Sequence, residues 1–371
     1  MCFLDHFENL EDPRSTINRR HDLLDIVFLA VSAVLSGAHG WKDIKDFGDV
    51  KLGWLRQFRA FEHGIPVDDT IARVISALAP EAMMSCFIDW VNELRAAQGA
   101  ECIAIDGKTF RRSHDGEKKE ALHALNAWSS THGLVLAQMK SAGKKNEIAS
   151  AQQLIEMLEL KGATVTLDAM HCQRDTAKAI VKKKADYVLN VKKNQLGLYE
   201  SVADLFEGYE QFGGWPGERT QFEHIDSGHG RVEERHYTCL PVPKDFEGRS
   251  KWAGLKTLIR VTRIRHVKDT TSTETLYYIA SLDTADPERI ARAIRSHWEV
   301  ENKVHWVLDV TFREDESRIR RDDGAQNIGL VRRMCLNLTR MHPKKDSMAG
   351  KLKAAGWNDE FRAELIFGNP A

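Results

Sequence analysis

The chain has 371 residues, with 53 Lys and Arg against 54 Asp and Glu, a formal net charge of -1, and 42% hydrophobic residues. That balance excludes a disordered chain and a globally basic nucleic-acid binder, and the length accommodates two or three domains with sizeable cores. Six scattered cysteines without a CxxC pair exclude a zinc ribbon or a disulfide scaffold and fit a reducing cytosol.

The first hundred residues read as helical. Leu23, Leu24, Ile26, Val27, Leu29, Ala30 and Val34 recur on a helical period, with Gly37 and Gly40 as stops. The apolar stretch over 26–38 has the length of a buried helix and falls short of the roughly 20 residues that a bilayer span requires. No secretory leader is evident, so a cytoplasmic protein without a membrane partner is expected. A further helix over 69–78 is predicted to start at an aspartate cap, and Pro80 opens another that carries Met84, Phe87, Ile88, Val91 and Leu94. Plain helical packing explains these helices better than a DNA-binding helix-turn-helix does, because no recognition helix stands out by charge.

From residue 101 the texture changes. CIAIDG, ALNAWS and LVLAQMK read as three strands in a meander, with Gly133 at the second turn. A helix over 147–160, the strand TVTLDAM, a helix over 175–184, the strand DYVLNVK and a helix over 196–206 follow. The order βββαβαβα is that of an α/β, ribonuclease H-like mixed sheet with helices on both faces, since a doubly wound parallel sheet lacks the opening meander. β-rich segments over 222–239, 255–265 and 275–282 then form an insertion at about 207–285, and Pro287 starts a helix over 288–310. Two domains are expected: a helical one over 1–98 and a catalytic one over 99–371.

Three carboxylates stand out. Asp106 ends the first strand, Asp168 the fourth, and Glu301 projects from the late helix. Hard divalent cations take oxygen ligands, usually one or two carboxylates per ion, so three such groups suit a pair of ions set against a phosphodiester. Each acid also has a plainer explanation: Asp106-Gly107 is a hairpin signal, and Asp168 leads into a loop. On a regular helix Trp298, Glu301, His305 and Leu308 share one face, which favours Glu301 over Glu299 as a buried, partnered carboxylate and favours core packing over base stacking for Trp298. Gly107 permits close backbone approach to a ligand, and Lys108 offers a point charge for phosphate. Basic runs at Lys182–Lys184, at Lys192 and Lys193, and at Arg318, Arg320, Arg321, Arg332 and Arg333 are either DNA contacts or solvated helix faces. Zinc is disfavoured because His171, Cys172, His297 and His305 match no ligand spacing.

With these residues placed, the chain resembles insertion-sequence transposases of the DDE type, in the H-repeat-associated subgroup. The resemblance runs nearly end to end, through FENLEDPR, HDLLDIVFLAVSAVLSGAHGWKDIKDFG and HGIPVDDTIARV, then AIDGKTFRRS, NEIASAQQLIEMLELKGATVTLDAMHCQ, ADYVLNVKKNQ, SGHGRVEER, YYIASL and HWEVENKVHWVLDVTFREDESRIR. It implies a helical end-binding domain and a catalytic domain that cleaves element ends and transfers the 3′-hydroxyl to target DNA. Asp106, Asp168 and Glu301 would hold two Mg²⁺ ions, for which Mn²⁺ substitutes. Lys108, Asn146, Glu147, Lys192, Asn194, Gln195, His229, Arg231, Trp298 and Asn302 would lie near DNA or the acids. The partners implied are double-stranded DNA, at terminal repeats and target, and a second copy on DNA, in the bacterial cytosol at the nucleoid. Two positions depart from the family pattern: His171 and Lys193 stand where glycine is usual, and a side chain there would occupy space otherwise open to DNA. Of the wider group's Tyr, Arg, Glu, Lys signature, matched at Ile294, His297, Glu301 and Leu308, only the glutamate remains. A DNA-binding relative without catalysis and a nuclease without strand transfer are the alternatives.

Overall fold

A computed structural model describes residues 3–95, 101–113, 121–141, 146–228 and 230–368. Helices α1 (Phe3–Phe7), α2 (Leu23–Leu35), α3 (Trp41–Leu55), α4 (Asp68–Ala77) and α5 (Pro80–Leu94) precede the sheet. Asp22 caps α2 by accepting from the Leu24 and Asp25 amides at 2.9 and 3.2 Å. The expected aspartate cap of α4 is absent. Val67 occupies that position, while Asp68 and Asp69 lie inside the first turn, where the helix dipole favours them. Pro80 is the first residue of α5, as its missing N–H predicts.

The sheet follows the predicted order. Strands β1 (Cys102–Thr109), β2 (His123–Ser129) and β3 (Leu134–Ser141) come first, then α6 (Glu147–Met157), β4 (Thr164–Leu167), α7 (Arg174–Lys182), β5 (Asp186–Val191) and α8 (Leu196–Phe212). Gly133 turns the β2–β3 hairpin with φ +68. Strands β6 (Thr220–Gly228), β7 (Arg231–Pro241), β8 (Thr257–Val267) and β9 (Thr270–Ala280) complete a nine-stranded sheet, ordered β3-β2-β1-β4-β5-β9-β8-β7-β6. The 3-2-1-4-5 order, with β4 and β5 parallel to β1, is ribonuclease H-like. The β-rich segment is more integral than an insertion: β9 pairs antiparallel with β5 through Val188↔Ala280 to Val191↔Tyr277, so the ribbon extends the main sheet.

Helix α9 (Pro287–His297) follows. The expected helix over 288–310 is interrupted by a π-helical turn, Val300–His305, before α10 (Trp306–Val310). The chain ends with α11 (Gly324–Met341), α12 (Met348–Trp357) and α13 (Asp359–Phe367).

Two compact units divide the chain: one holds Met1–Ala97, Gly107–Glu147 and Glu301–Ala371, the other Gln98–Asp106 and Ile148–Val300. In the first, the apolar α2 and α11 are both buried nearly throughout. Asn327 Nδ2 donates to the Ile75 and Leu78 carbonyls, satisfying the end of α4, and Asn337 brackets the Val135 amide and carbonyl of β3 at 2.9 and 2.8 Å. In the second, Ile290, Ala291, Ala293 and Ile294 of α9 bury one face against Val188, Tyr237, Ile259, Val261 and Tyr278.

Candidate active site

In the second unit, β1 and β4 run parallel with Ile105 opposite Leu167, so Asp106 and Asp168 each follow the last paired residue of neighbouring strands; Asp168 lies just past β4, whereas Asp106, expected to end its strand, lies inside β1, which runs on to Thr109. Strand spacing alone sets such backbones about 4.8 Å apart. Asp168 does more than end a strand. It caps the 3-10 turn Ala169–His171, accepting from the His171 amide at 3.3 Å, and half of its side chain stays open to solvent. His171 turns inward, only 1% exposed, with Nε2 3.8 Å from the Asp168 carboxylate. The imidazole therefore packs beneath the acid and does not stand in the space that a glycine would leave to DNA.

Helix α9 is pinned over the same strands. Asp286 caps it through the Arg289 amide at 2.9 Å, Arg289 donates to Thr164 at 3.0 Å, Thr166 meets His297 Nδ1 at 3.3 Å, and Cys102 meets Ser296 at 2.8 Å. The helix then reaches the π turn that carries Glu301. The boundary between the units falls within single elements, at Asp106–Gly107 in β1 and at Val300–Glu301 in the π turn.

In the first unit, Glu301 is exposed, contrary to the buried carboxylate expected from helical periodicity. A π turn takes about one more residue per turn than an α-helix, so the regular face is lost: Trp298 and Glu301 face out, while His305 and Leu308 face in. Trp298, expected in the core, is 62% exposed. The partner of Glu301 is His305, whose Nδ1 lies 2.9 Å from Oε2. That hydrogen bond holds the Glu301 carboxyl below its usual range against partial burial, with the charge of Lys108 contributing in the same direction.

Behind His305 runs a buried polar chain. Asn126 Nδ2 lies 3.3 Å from His305 Nε2, and Arg333 Nε donates to Asn126 Oδ1 at 2.7 Å. Arg333 also grips Glu314 with two nitrogens at 2.7 and 3.3 Å. Burial would raise the Glu314 carboxyl, but Arg333 and Lys108 hold it below the ordinary glutamate value. The expected role of Lys108 as a phosphate contact meets a different setting, since its buried amino group lies among Asp309, Glu314 and Asp315, the last two at 3.8 and 3.3 Å. Arg332 and Arg333 are buried and drop out of the candidate basic surface. Of this chain, the sequence reading assigned Glu301, and it weighed His305 and Arg333 for other reasons. It missed Asn126 and Glu314. The available signal for Asn126 was an amide within the apolar strand ALNAWS.

Other expected residues lie apart from these pairs. Asn194 donates to the Ala169 carbonyl at 2.7 Å and Gln195 to Gln173 at 3.0 Å, tying the KKNQ turn to the loop after Asp168, with Lys192 and Lys193 exposed beside them. Arg231 pairs with Glu233 at 3.5 Å near the tip of the β6–β7 hairpin, and Asn302 is exposed in the π turn. Asn146 precedes α6, and Glu147, its first residue, is buried against His123 at 3.0 Å. His229 lies outside the described residues.

Comparison with known proteins shows the family. Residues 97–338 match the transposase DDE domain, and residues 4–91 match the domain described as DDE_Tnp_1-associated. The chain belongs to the DDE transposase family, in the part that includes H-repeat-associated proteins. It is 42% identical to "Putative transposase YncI" of Escherichia coli O157:H7 over 91% of this chain and 87% of that one. It is 37% identical to "H repeat-associated putative transposase YhhI" of Escherichia coli strain K12 over 99% and 98%. Among solved structures it is similar to the piggyBac transposase synaptic complex with hairpin DNA, with a TM-score of 0.43 and 12% identity, covering 98% of this chain and 76% of that one. Among the described residues, no single helix is long and apolar enough to cross a membrane.

Proposed function

We propose that the protein cleaves the ends of its element and joins the freed 3′-hydroxyl to target DNA, with Asp106, Asp168 and Glu301 as the ligands of two Mg²⁺ ions. The observation that carries this reading is the placement of Asp106 and Asp168 just past paired residues of adjacent parallel strands, in a chain of the DDE family. The donor set fits the metal: Asp168 is half open to solvent and Glu301 is exposed, both offer oxygen, and Mg²⁺ and Mn²⁺ prefer oxygen. When bound, such ions activate the attacking oxygen and stabilise the leaving one. The three carboxylates would hold the cations against the anionic phosphodiester, and His305 keeps one Glu301 oxygen engaged. Water replaces the sugar oxygen at phosphorus, leaving a 3′-hydroxyl on the element end. That hydroxyl then displaces the equivalent oxygen of the target strand. Lys192, Asn194, Gln195, Arg231, Trp298 and Asn302 are the proposed DNA contacts, and two copies act together, one at each end.

The test is Mg²⁺-dependent cleavage of DNA bearing the element's own terminal repeats. Asp106→Asn, Asp168→Asn and Glu301→Gln are each expected to lower the rate by at least about 100-fold, since even residues behind a metal ligand cost about 10–100-fold. Glu299→Gln should cleave normally. A Glu301→Gln protein that cleaves as well as the unmutated one would refute the assignment. Precut ends with supercoiled target separate transfer from simple hydrolysis.

A further inference from the structure

Glu301 is exposed, yet it is hydrogen-bonded to an imidazole buried at the end of a chain of fixed hydrogen-bond roles. The roles can be read in order from the group that has no choice. A guanidinium only donates, so Arg333 Nε makes Oδ1 the accepting end of Asn126. The amide end of Asn126 must then be Nδ2, which donates to His305 Nε2. With Nε2 accepting, the ring proton sits on Nδ1 and points at Glu301 Oε2, 2.9 Å away. Arg333 in turn cannot rotate, because Glu314, fully buried, holds two of its nitrogens and the Gly329 carbonyl accepts from Nη1 at 2.9 Å.

We propose that Asn126, Arg333 and Glu314 act on Glu301 through His305, making His305 a positioning residue that donates from Nδ1 and is not itself a metal ligand. His305, like Glu301, carries an atom able to ligate an ion. The buried chain decides between the two roles, because a nitrogen that carries a proton has no lone pair for a metal and the other nitrogen is already occupied by Asn126. The effect on Glu301 is directional: one carboxylate oxygen is tied down, and the other is presented in a set orientation. Hydrogen bonds behind a ligand are worth about 10–100-fold in metal affinity. This inference rests on the two-metal reading above.

The experiment is a Mn²⁺ titration of the full-length protein without DNA, followed by electron paramagnetic resonance, with thermal unfolding recorded on each variant. The unmutated protein should bind Mn²⁺ in a manner that Glu301→Gln weakens. If Glu301→Gln changes nothing, the two-metal reading fails and takes this inference with it. Given that dependence, His305→Phe should bind about tenfold more weakly. His305→Asn, whose amide nitrogen falls near the position of Nδ1, should bind within about threefold of the unmutated protein. Equal binding by His305→Phe, or equal losses in both variants, would overturn the positioning role while leaving the metal site standing. The spin-echo modulation spectrum of Mn²⁺ on the unmutated protein decides independently of any variant's folding: it should lack the nitrogen coupling of a coordinated imidazole, and its presence would make His305 a ligand.

Discussion

Between Asp106 and Lys108 stands a glycine whose missing side chain is a packing requirement. A Cβ at Gly107 would lie 2.5 Å from Glu147 Oε1 and 2.6 Å from His123 Nε2, a buried pair further fixed by Thr109, whose hydroxyl meets His123 Nδ1 at 2.9 Å. The sequence suggested close approach of a ligand; the neighbours are instead two side chains of the protein. Gly107→Ala should therefore destabilise the fold by about 1–3 kcal/mol, the usual cost of overpacking, seen as a lowered thermal midpoint. An unchanged midpoint would mean that His123 and Glu147 shift freely. His171 and Lys193, also at positions where glycine is usual, behave differently. One side chain is buried under Asp168 and the other is exposed, so neither position is crowded by its own backbone.

At the scale of elements, legibility followed range. Apolar runs bounded by turn signals are local, and they located β1 to β5 and the helices between them, together with the end of β4 that precedes Asp168; Asp106 lies instead within β1, which runs on through Gly107 and Lys108. The π turn was not legible, because a period of 3.6 assumed across 288–310 puts Trp298, Glu301, His305 and Leu308 on one face, whereas the extra residue per turn splits them. Nor was the buried chain behind Glu301, since Arg333 and Asn126 meet across 207 positions and look in isolation like a surface cation and a strand amide. The same buried pairing sets a pH dependence. Glu314 is held below its ordinary 4.5, so its folded form stays charged where the unfolded form takes up a proton. Its contribution is present in full above about pH 4.5 and is lost as pH falls through the folded value. Glu314→Gln should cost about 3–5 kcal/mol near pH 7, with a cost that shrinks on acidification below about pH 4.5, as measured by urea unfolding. A cost independent of pH would show that packing, and not charge, stabilises this position.

At the scale of the whole molecule, the unit that holds α2 is assembled from three separate stretches of chain. Helix α2 is apolar on nearly every face, and α11, which packs on it, begins only at Gly324. A chain ended after residue 300 should leave α2 uncovered while retaining the second unit. Such a truncated protein is expected to aggregate or bind a hydrophobic dye where the full chain does not. A soluble, dye-negative product would show that α2 is satisfied by its nearer neighbours.

The separation of α2 from α11 has a temporal side. Ribosomes add about 5–20 residues per second, so α2 leaves the tunnel on the order of tens of seconds before its covering helix exists. During that interval the nascent chain presents an oily helix without its cover, and Glu301 has either not been made or lacks Arg333 behind its histidine. If Glu301 acts as proposed, competence to cut DNA is expected only once α11 has been made, and a stop before Gly324 is expected to yield a chain that lacks Arg333 behind His305 and is prone to removal by chaperones and proteases.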